Sequence, residues 1–391
     1  MTIALDSDSP AYPTLPRPDY QLYLPSMDPL AIKNHYRTIV VGTGPAGAMA
    51  ALHAAARGPV LMIDSFALPR DKSCGGMLNE YSQEFLSAYG KLPEGLWLEP
   101  AWVNFRYYDW DRGIKKPTQL RFANVDRSLF DAWMLSLMPD NVDIAGKTSL
   151  VTFTQSEKQV DAVLSAAGTE VKVSADNLIG CDGPRSTTRR ILGSGSVANY
   201  VTLQDFCRLE APIEPFFDCI YTRKIGDSFA YAYVVPKGEV AIAGSVFYPK
   251  TKRPHEIQEQ VLEVLRSRLP LGESVKREAW VALSVRNHSD VSPGQGRVLL
   301  AGEAGGFMSP SSGEGISYAL NSGHLAGRAV AEAGPEAGAE TALAAYTQAT
   351  AGIAKNITHK LKWLPFMESR AGKYLAGFVP TPIVSKITEG L

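Results

Sequence analysis

The chain has 391 residues, 45% of them hydrophobic and 20% charged, and a formal net charge of −1. That length exceeds one ordinary core and implies two interpenetrating domains, and the near-neutral balance speaks against a nucleic-acid binder. No run reaches the roughly 20 apolar residues of a spanning helix, and no basic-then-apolar leader opens the chain, so the expected location is the cytoplasm.

Residues 1–36 are crowded with prolines (Pro10, Pro13, Pro16, Pro18, Pro25, Pro29) and carry little periodicity, which predicts an extended arm. At residue 37 the pattern changes. Thr38-Ile39-Val40-Val41 is a short β-branched run of the kind a buried parallel strand shows. Glycines follow, then a small-residue helix over 48–56, a stop at Gly58 and a second strand at Val60-Leu61-Met62-Ile63. This is a strand-turn-helix-strand unit of about thirty residues. Further strands are expected at 149–153 and 160–166. The block 200–285, rich in β-branched and aromatic residues, reads as an antiparallel sheet covering a site. Val298-Leu299-Leu300-Ala301 returns to the parallel type, and a helix is expected over 315–332. From about residue 341 the pattern is helical, with an interruption expected at Pro365.

The expected fold is therefore α/β: a Rossmann-type dinucleotide domain, an interleaved antiparallel β-sheet substrate domain and a C-terminal helical region. The division is 1–36 arm, 37–199 first part of the dinucleotide domain, 200–285 substrate sheet, 286–335 second part and 336–391 helical region.

Gly42-Thr43-Gly44-Pro45-Ala46-Gly47 sits between the first strand and its helix. There Gly42 permits the tight turn, Gly44 the approach of a pyrophosphate, and Gly47 close helix–strand packing. Pro45 and Ala46 open the helix, whose N–H groups face the phosphates. Asp64, followed by Ser65, ends the second strand, where a carboxylate accepts ribose hydroxyls. An acid at that place suits NAD or FAD equally.

Two later motifs select FAD. In Gly180-Cys181-Asp182-Gly183-Pro184-Arg185-Ser186 a strand ends in an acidic turn, with Ser186 a suitable helix N-cap. In the stretch from Gly302-Glu303 through Gly313-Glu314-Gly315-Ile316 a strand end brings a carboxylate toward the ribityl hydroxyls. The glycine loop then opens a helix whose amides are expected to face the flavin N1–C2=O edge.

With GTGPAG at 42–47, RDKSCGG at 70–76, GCDGPRSTTRR at 180–190 and GEAGGFMSPSSGEGI at 302–316, the chain resembles the geranylgeranyl reductase family over 37–328. That family is a branch of the larger group that includes aromatic hydroxylases and flavin-dependent halogenases. The resemblance implies FAD as cofactor and Cys74 beside the flavin, with Gly75 and Gly76 allowing close backbone approach. It also implies that Arg127, in VDRSLFD, begins a helix and contacts FAD. Lys72 is a candidate cation for the Cys74 thiol. Two departures stand out. Glu303 replaces the family's aspartate, and Tyr231-Ala232-Tyr233-Val234-Val235-Pro236 stands where the family has aromatic-x-Trp-x-Phe-Pro. Tyr231, Tyr233 and Pro236 are the expected cavity walls.

The implied reaction is reduction of a carbon–carbon double bond in an apolar, prenyl-like substrate by hydride from FAD N5, with Cys74 the candidate proton donor. The alternative is a monooxygenase (hydroxylase). A halogenase is a more distant reading, because both tryptophans of its usual motif are missing, and a non-catalytic flavoprotein is a further one. No second GxGxxG marks a nucleotide site for the electron donor, which leaves NAD(P)H bound transiently, ferredoxin or reduced flavin. Trp97, Trp102, Tyr107, Tyr108 and Trp110 either line a pocket or simply pack. His53 and His324 are read as structural. The tail, with Lys360, Lys362, Trp363 and Phe366, suits either a helix packed on the body or a peripheral membrane contact. Cys74, Cys181, Cys207 and Cys219 form no CxxC pair and no group with histidine, so neither a metal nor a disulfide framework is expected.

Overall fold

The computed structural model describes residues 27–222, 229–334, 338–376, 378–388 and 391. Of the arm expected at 1–36, residues 1–26 lie outside that set. The run that predicted a buried strand forms β1 (His35–Val41), fully buried after its first residue. Pro45 opens α1 (Pro45–Ala54) at the position where a missing N–H costs nothing, and β2 (Val60–Ile63) pairs with β1 in parallel.

The chain then leaves this unit for β3 (Met77–Leu78), α2 (Glu80–Ser87), β4 (Trp97–Asp109) and β5 (Ile114–Val125). It returns through α3 (Arg127–Ser136), capped by Asp126, which accepts from the Ser128 and Leu129 amides. β6 (Val142–Ala145), β7 (Thr148–Gln155), β8 (Val160–Ala166), β9 (Thr169–Gly180) and α4 (Thr187–Leu192) follow. A second excursion holds β10 (Asn199–Leu209), β11 (Phe216–Tyr221), β12 (Phe229–Lys237), β13 (Val240–Phe247), α5 (Pro254–Arg266) and β14 (Leu271–Leu283). The last block is β15 (Gly294–Gln295), β16 (Val298–Leu300), α6 (Ile316–Ala333), α7 (Ala339–Glu368), α8 (Arg370–Ala376) and α9 (Thr381–Thr388).

Two sheets result. In the first, β16, β9, β1, β2 and β6 are parallel, β15 closes one edge antiparallel, and the β7–β8 hairpin hangs on β9. In the second, the order is β14-β10-β13-β12-β11-β4-β5-β3, antiparallel except where β11 runs beside β4. The sheet expected at 200–285 therefore supplies only part of the second sheet. The aromatic stretch that gave no clear period at 97–110 is strand β4. The rings pack: Trp97 and Trp102 lie tilted with centroids 5.1 Å apart, and Trp110, just past β4, is buried with the Arg268 guanidinium 4.9 Å from its ring.

Strand alternation gives β12 two unlike faces. Ala232 and Val234 join Trp110, Phe247, Val261 and Leu265 in the core beneath α5. Tyr233 and Val235 turn the other way, into a layer with Val103, Ile242 and Val246. In the first domain α1 and α6 cross at bare backbone. A Cβ on Gly323 would lie 2.1 Å from the Ala46 carbonyl oxygen, and one on Gly327 would lie 2.3 Å from that of Ala50. This crossing brings the two glycine turns side by side. α7 does not break at Pro365, whose missing N–H costs the bond to the Leu361 carbonyl, and it ends three residues later at Glu368.

Candidate functional site

The dinucleotide turn has no room for side chains at two of its glycines. Gly42 has φ +101°, and a Cβ there would lie 2.4 Å from the Cys181 carbonyl oxygen; a Cβ on Gly47 would lie 1.8 Å from the Gly42 oxygen. Helix α1 starts with no side-chain cap and no acid in its first turn, so its N–H groups are open to an anion. Asp64 is buried and already engaged: Oδ2 accepts from Thr43 N (3.1 Å) and Oγ1 (2.7 Å), and Oδ1 from Phe66 N (3.0 Å). Ser65 beside it is exposed.

Sequence reasoning missed Arg70, although it opens the RDKSCGG motif. Its Nη2 is 2.9 Å from where a Gly44 Cβ would stand, and 3.8 Å from Asp131 Oδ2. Its buried Nε lies 3.1 Å from Asp64 Oδ2 but off the hydrogen-bonding direction, so it has no acceptor. A cation with an unsatisfied N–H over a bare glycine turn fits a pyrophosphate.

The second and third motifs meet the first from the far side. Asp182 is tied to its own helix, accepting from Ser186 Oγ (2.5 Å), Thr188 N (2.9 Å) and Thr188 Oγ1 (3.1 Å), and burial raises its pKa. Gly183 follows with φ +73°, and Ser186 caps α4 by accepting from the Arg189 amide. The Gly302 amide donates to Ser322 Oγ at 2.9 Å. Glu303 accepts from Leu283 N at 3.1 Å and from Lys72 Nζ at 3.2 Å. Lys72 thus pairs with Glu303. Gly315 is the N-cap of α6, with Ile316 its first residue and Gly313 at φ +69° just before. The α6 amides expected to face a flavin are partly taken. Glu314 accepts the Ser317 amide at 2.9 Å and its hydroxyl at 2.6 Å, and burial raises the glutamate's pKa.

Cys74 lies where these elements converge on the second sheet. The Gly76 amide reaches its sulfur at 3.5 Å. Arg127, the first residue of α3, forks onto Asp131 at 3.0 and 3.2 Å. Burial works against the Arg127 charge, but Asp131 and Cys74 outweigh it and raise the pKa. Gly75 lies close to the Met77 side chain, 3.1 Å from its Cε at the Cβ position. On β12, the Tyr231 and Tyr233 rings lie 6.2 Å apart on one face. Tyr231 OH is 3.6 Å from the Gly313 Cβ position, and its interaction with Cys74 adds to the burial that raises its pKa. Tyr233 OH accepts from Gln204 Nε2 at 2.5 Å, and Gln204 Oε1 accepts from Ser73 Oγ at 2.5 Å. Pro236 falls on the opposite face by alternation, and its carbonyl accepts from Asn124 Nδ2 at 3.0 Å. Lys237 returns to the tyrosine face. Parity with Tyr231 and Tyr233 was the available signal for it, as strand position was for Gln204.

Similar proteins agree with this geometry. A family model described as FAD binding domain matches residues 134–360, more than half of the chain. Protein CbrA of Escherichia coli O9:H4 (strain HS) is 29% identical over 326 residues, covering 81% of this chain and 86% of its own. A geranylgeranyl bacteriochlorophyll reductase-like protein from Thermoplasma acidophilum superposes with TM-score 0.70 at 20% identity, over 91% of this chain and 92% of that one. Aklavinone-11 hydroxylase, solved with FAD and aklavinone, gives TM-score 0.66 at 17% identity over 89% and 72%. These two structures share the fold. With its glycine turns, its open helix start and its match to that model, the chain belongs to the FAD binding domain family and is a flavin-dependent oxidoreductase that uses FAD.

Proposed function

We propose that this oxidoreductase reduces a carbon–carbon double bond of an apolar, prenyl-like substrate. The observation that carries the reading is the link from the Cys74 turn to the tyrosine face of β12: Ser73 beside Cys74 donates to Gln204, Gln204 donates to Tyr233, and Tyr233 lies in an apolar layer with Val103, Ile242 and Val246 against which Phe217 packs. When bound, FAD supplies hydride chemistry. The Gly42–Gly44–Gly47 turn, Arg70 and the α1 start would hold its pyrophosphate. Asp64, Asp182, Glu303 and the 313–316 loop would hold the rest. Cys74, met at its sulfur by the Gly76 amide, is the proton donor to the second carbon. The two tyrosines wall the cavity and exclude water.

On this reading, residues 37–199 and 286–335 serve the cofactor. The second sheet, 200–285 joined by β3, β4 and β5, serves the substrate. NAD(P)H, ferredoxin or reduced flavin supplies the electrons. No described helix is long and apolar enough to cross a membrane. Exposed Trp363, Phe366, Tyr374, Phe378 and Ile383 on the C-terminal segment support a peripheral contact with a lipid surface.

The decisive experiment is anaerobic turnover of a polyunsaturated prenyl lipid with dithionite-reduced holoenzyme. Product saturated by one H2 per double bond is expected. Product formed only when oxygen is admitted would turn the assignment to a monooxygenase. A Cys74→Ser variant that keeps FAD and full turnover would remove Cys74 from the mechanism.

A further inference from the structure

We propose that Lys237 is a positioning residue of the flavin site, whose buried ammonium locks the 74–76 turn onto β5 and sets a positive charge behind it. The inference rests on the reading that this turn abuts the flavin.

Lys237 ends β12 on the face that carries Tyr231 and Tyr233, and it is buried. Its Nζ donates to Asn124 Oδ1 at 2.5 Å, Gly76 O at 3.2 Å and Val125 O at 3.3 Å. Three acceptors match the three N–H bonds of an ammonium. The packing at this point leaves no slack. Gly76 has φ +61°, and a Cβ there would lie 2.3 Å from the Val125 oxygen and 2.9 Å from Lys237 Nζ. The Val125 amide returns a bond to the Gly76 oxygen at 2.8 Å. One nitrogen thus fastens the turn that carries Cys74 to the strand that leads into Arg127.

The same nitrogen can change charge. The groups that act on it are Cys74 from the turn, and Asp126 and Arg127 from the start of α3. Neutral Asn124 faces it from β5, and the tyrosines share its own strand. Burial dominates and lowers the Lys237 pKa to about 7; Cys74 and Asp126 favour the charge and Arg127 opposes it. Arg127 stays charged against Asp131, so Lys237 is the cation here whose charge varies near neutrality. As a neutral amine it keeps two N–H bonds and releases one of its three oxygens. A buried positive charge beside a flavin favours the reduced, more negative state.

The test is the midpoint potential of FAD in the holoenzyme, measured by dye equilibration from about pH 6 to pH 9, for wild type, Lys237→Met and Lys237→Arg. Wild type is expected to bend in its potential-against-pH line near neutrality. Lys237→Met loses the bend and is more negative on the acid side. Lys237→Arg loses the bend and is more positive on the alkaline side, and it carries the test alone where the methionine variant does not fold. Cys74→Ser, read by flavin absorbance, checks the underlying placement. If Cys74→Ser perturbs the flavin and the potential lines coincide, the role of Lys237 is overturned. If Cys74→Ser leaves the absorbance unchanged, the placement of the turn fails first and the inference falls with it.

Discussion

Lys72 Nζ lies 3.2 Å from Glu303 Oε2, while Glu303 Oε1 accepts the Leu283 amide at 3.1 Å. One carboxylate therefore joins the RDKSCGG segment to the last strand of the second sheet. An aspartate, shorter by a methylene, would not span both partners from the same backbone position. This gives the glutamate a structural reason that the motif comparison alone did not supply.

Glu303→Ala is expected to leave the Leu283 N–H without its acceptor and destabilise the protein by about 1–3 kcal/mol. Glu303→Gln keeps an acceptor and loses only the ion pair. With side chains 21% and 15% exposed, that pair contributes at most about 1 kcal/mol. Denaturant melts of the apoprotein should rank wild type above glutamine above alanine. Equal losses for the two variants would show that the amide bond is immaterial.

Arg70 should act through the cofactor. Its Nε has no acceptor in the protein alone, and hydrogen bonds to charged groups are worth about 1.5–3 kcal/mol. Arg70→Met is therefore expected to weaken FAD binding roughly tenfold to a hundredfold, and to destabilise the apoprotein as well, because it removes the ion pairs to buried Asp64 and Asp131. Titration of the apoprotein by flavin fluorescence quenching checks both the size and the sign. A variant that binds FAD as tightly as wild type would place the pyrophosphate elsewhere.

The first sheet was legible because it obeys local rules. β1 holds the β-branched run Thr38–Val41, and Gly47 is demanded by the Gly42 carbonyl five residues before it, whereas Gly42 is demanded by Cys181 far along the chain. Helix α6 was equally plain. What could not be read depends on partners distant in the chain. Trp97 to Trp110 lack simple alternation because β4 is irregular, with register shifts against β5. Lys72 finds Glu303 across 231 residues, and Lys237 finds Gly76 across 161. Pro365 misled because a helix can absorb one lost hydrogen bond where packing holds the turns before it, as α7 does until Glu368.

Tyr233, proposed as a wall of the substrate site, offers a test of its own. Tyr233 lies flat over Gly244, where a Cβ would come within 2.2 Å of its ring, and its hydroxyl holds Gln204. Tyr233→Phe keeps the ring and strands one buried Gln204 N–H, a cost of about 1–3 kcal/mol. Gly244→Ala forces the ring off its seat and should cost more, at the upper end of the roughly 1–3 kcal/mol of overpacking or beyond. Melting temperatures that fall further for the phenylalanine than for the alanine would contradict this packing.

The last prediction concerns acid. His324 Nδ1 lies 2.8 Å from His53 Nε2, which also lies 2.8 Å from Tyr89 OH, in a cluster joining α1, α2 and α6. Burial, then His324 and Arg328, lowers the His53 pKa to about 4; burial, then Arg328, lowers that of His324. Both folded-state values lie below the unfolded value of about 6.5. The unfolded chain therefore takes up protons below about pH 6.5 that the folded protein refuses until near pH 4, and stability must fall across that window. His324→Gln removes one of these groups and relieves His53 of a charged neighbour, so the acid limb should flatten. Arg328→Gln should flatten it only slightly, because burial, the first cause of both shifts, is untouched. Unfolding free energies from urea melts at a series of pH values decide the point: parallel acid limbs in wild type and His324→Gln would exclude this pair as the origin of acid sensitivity.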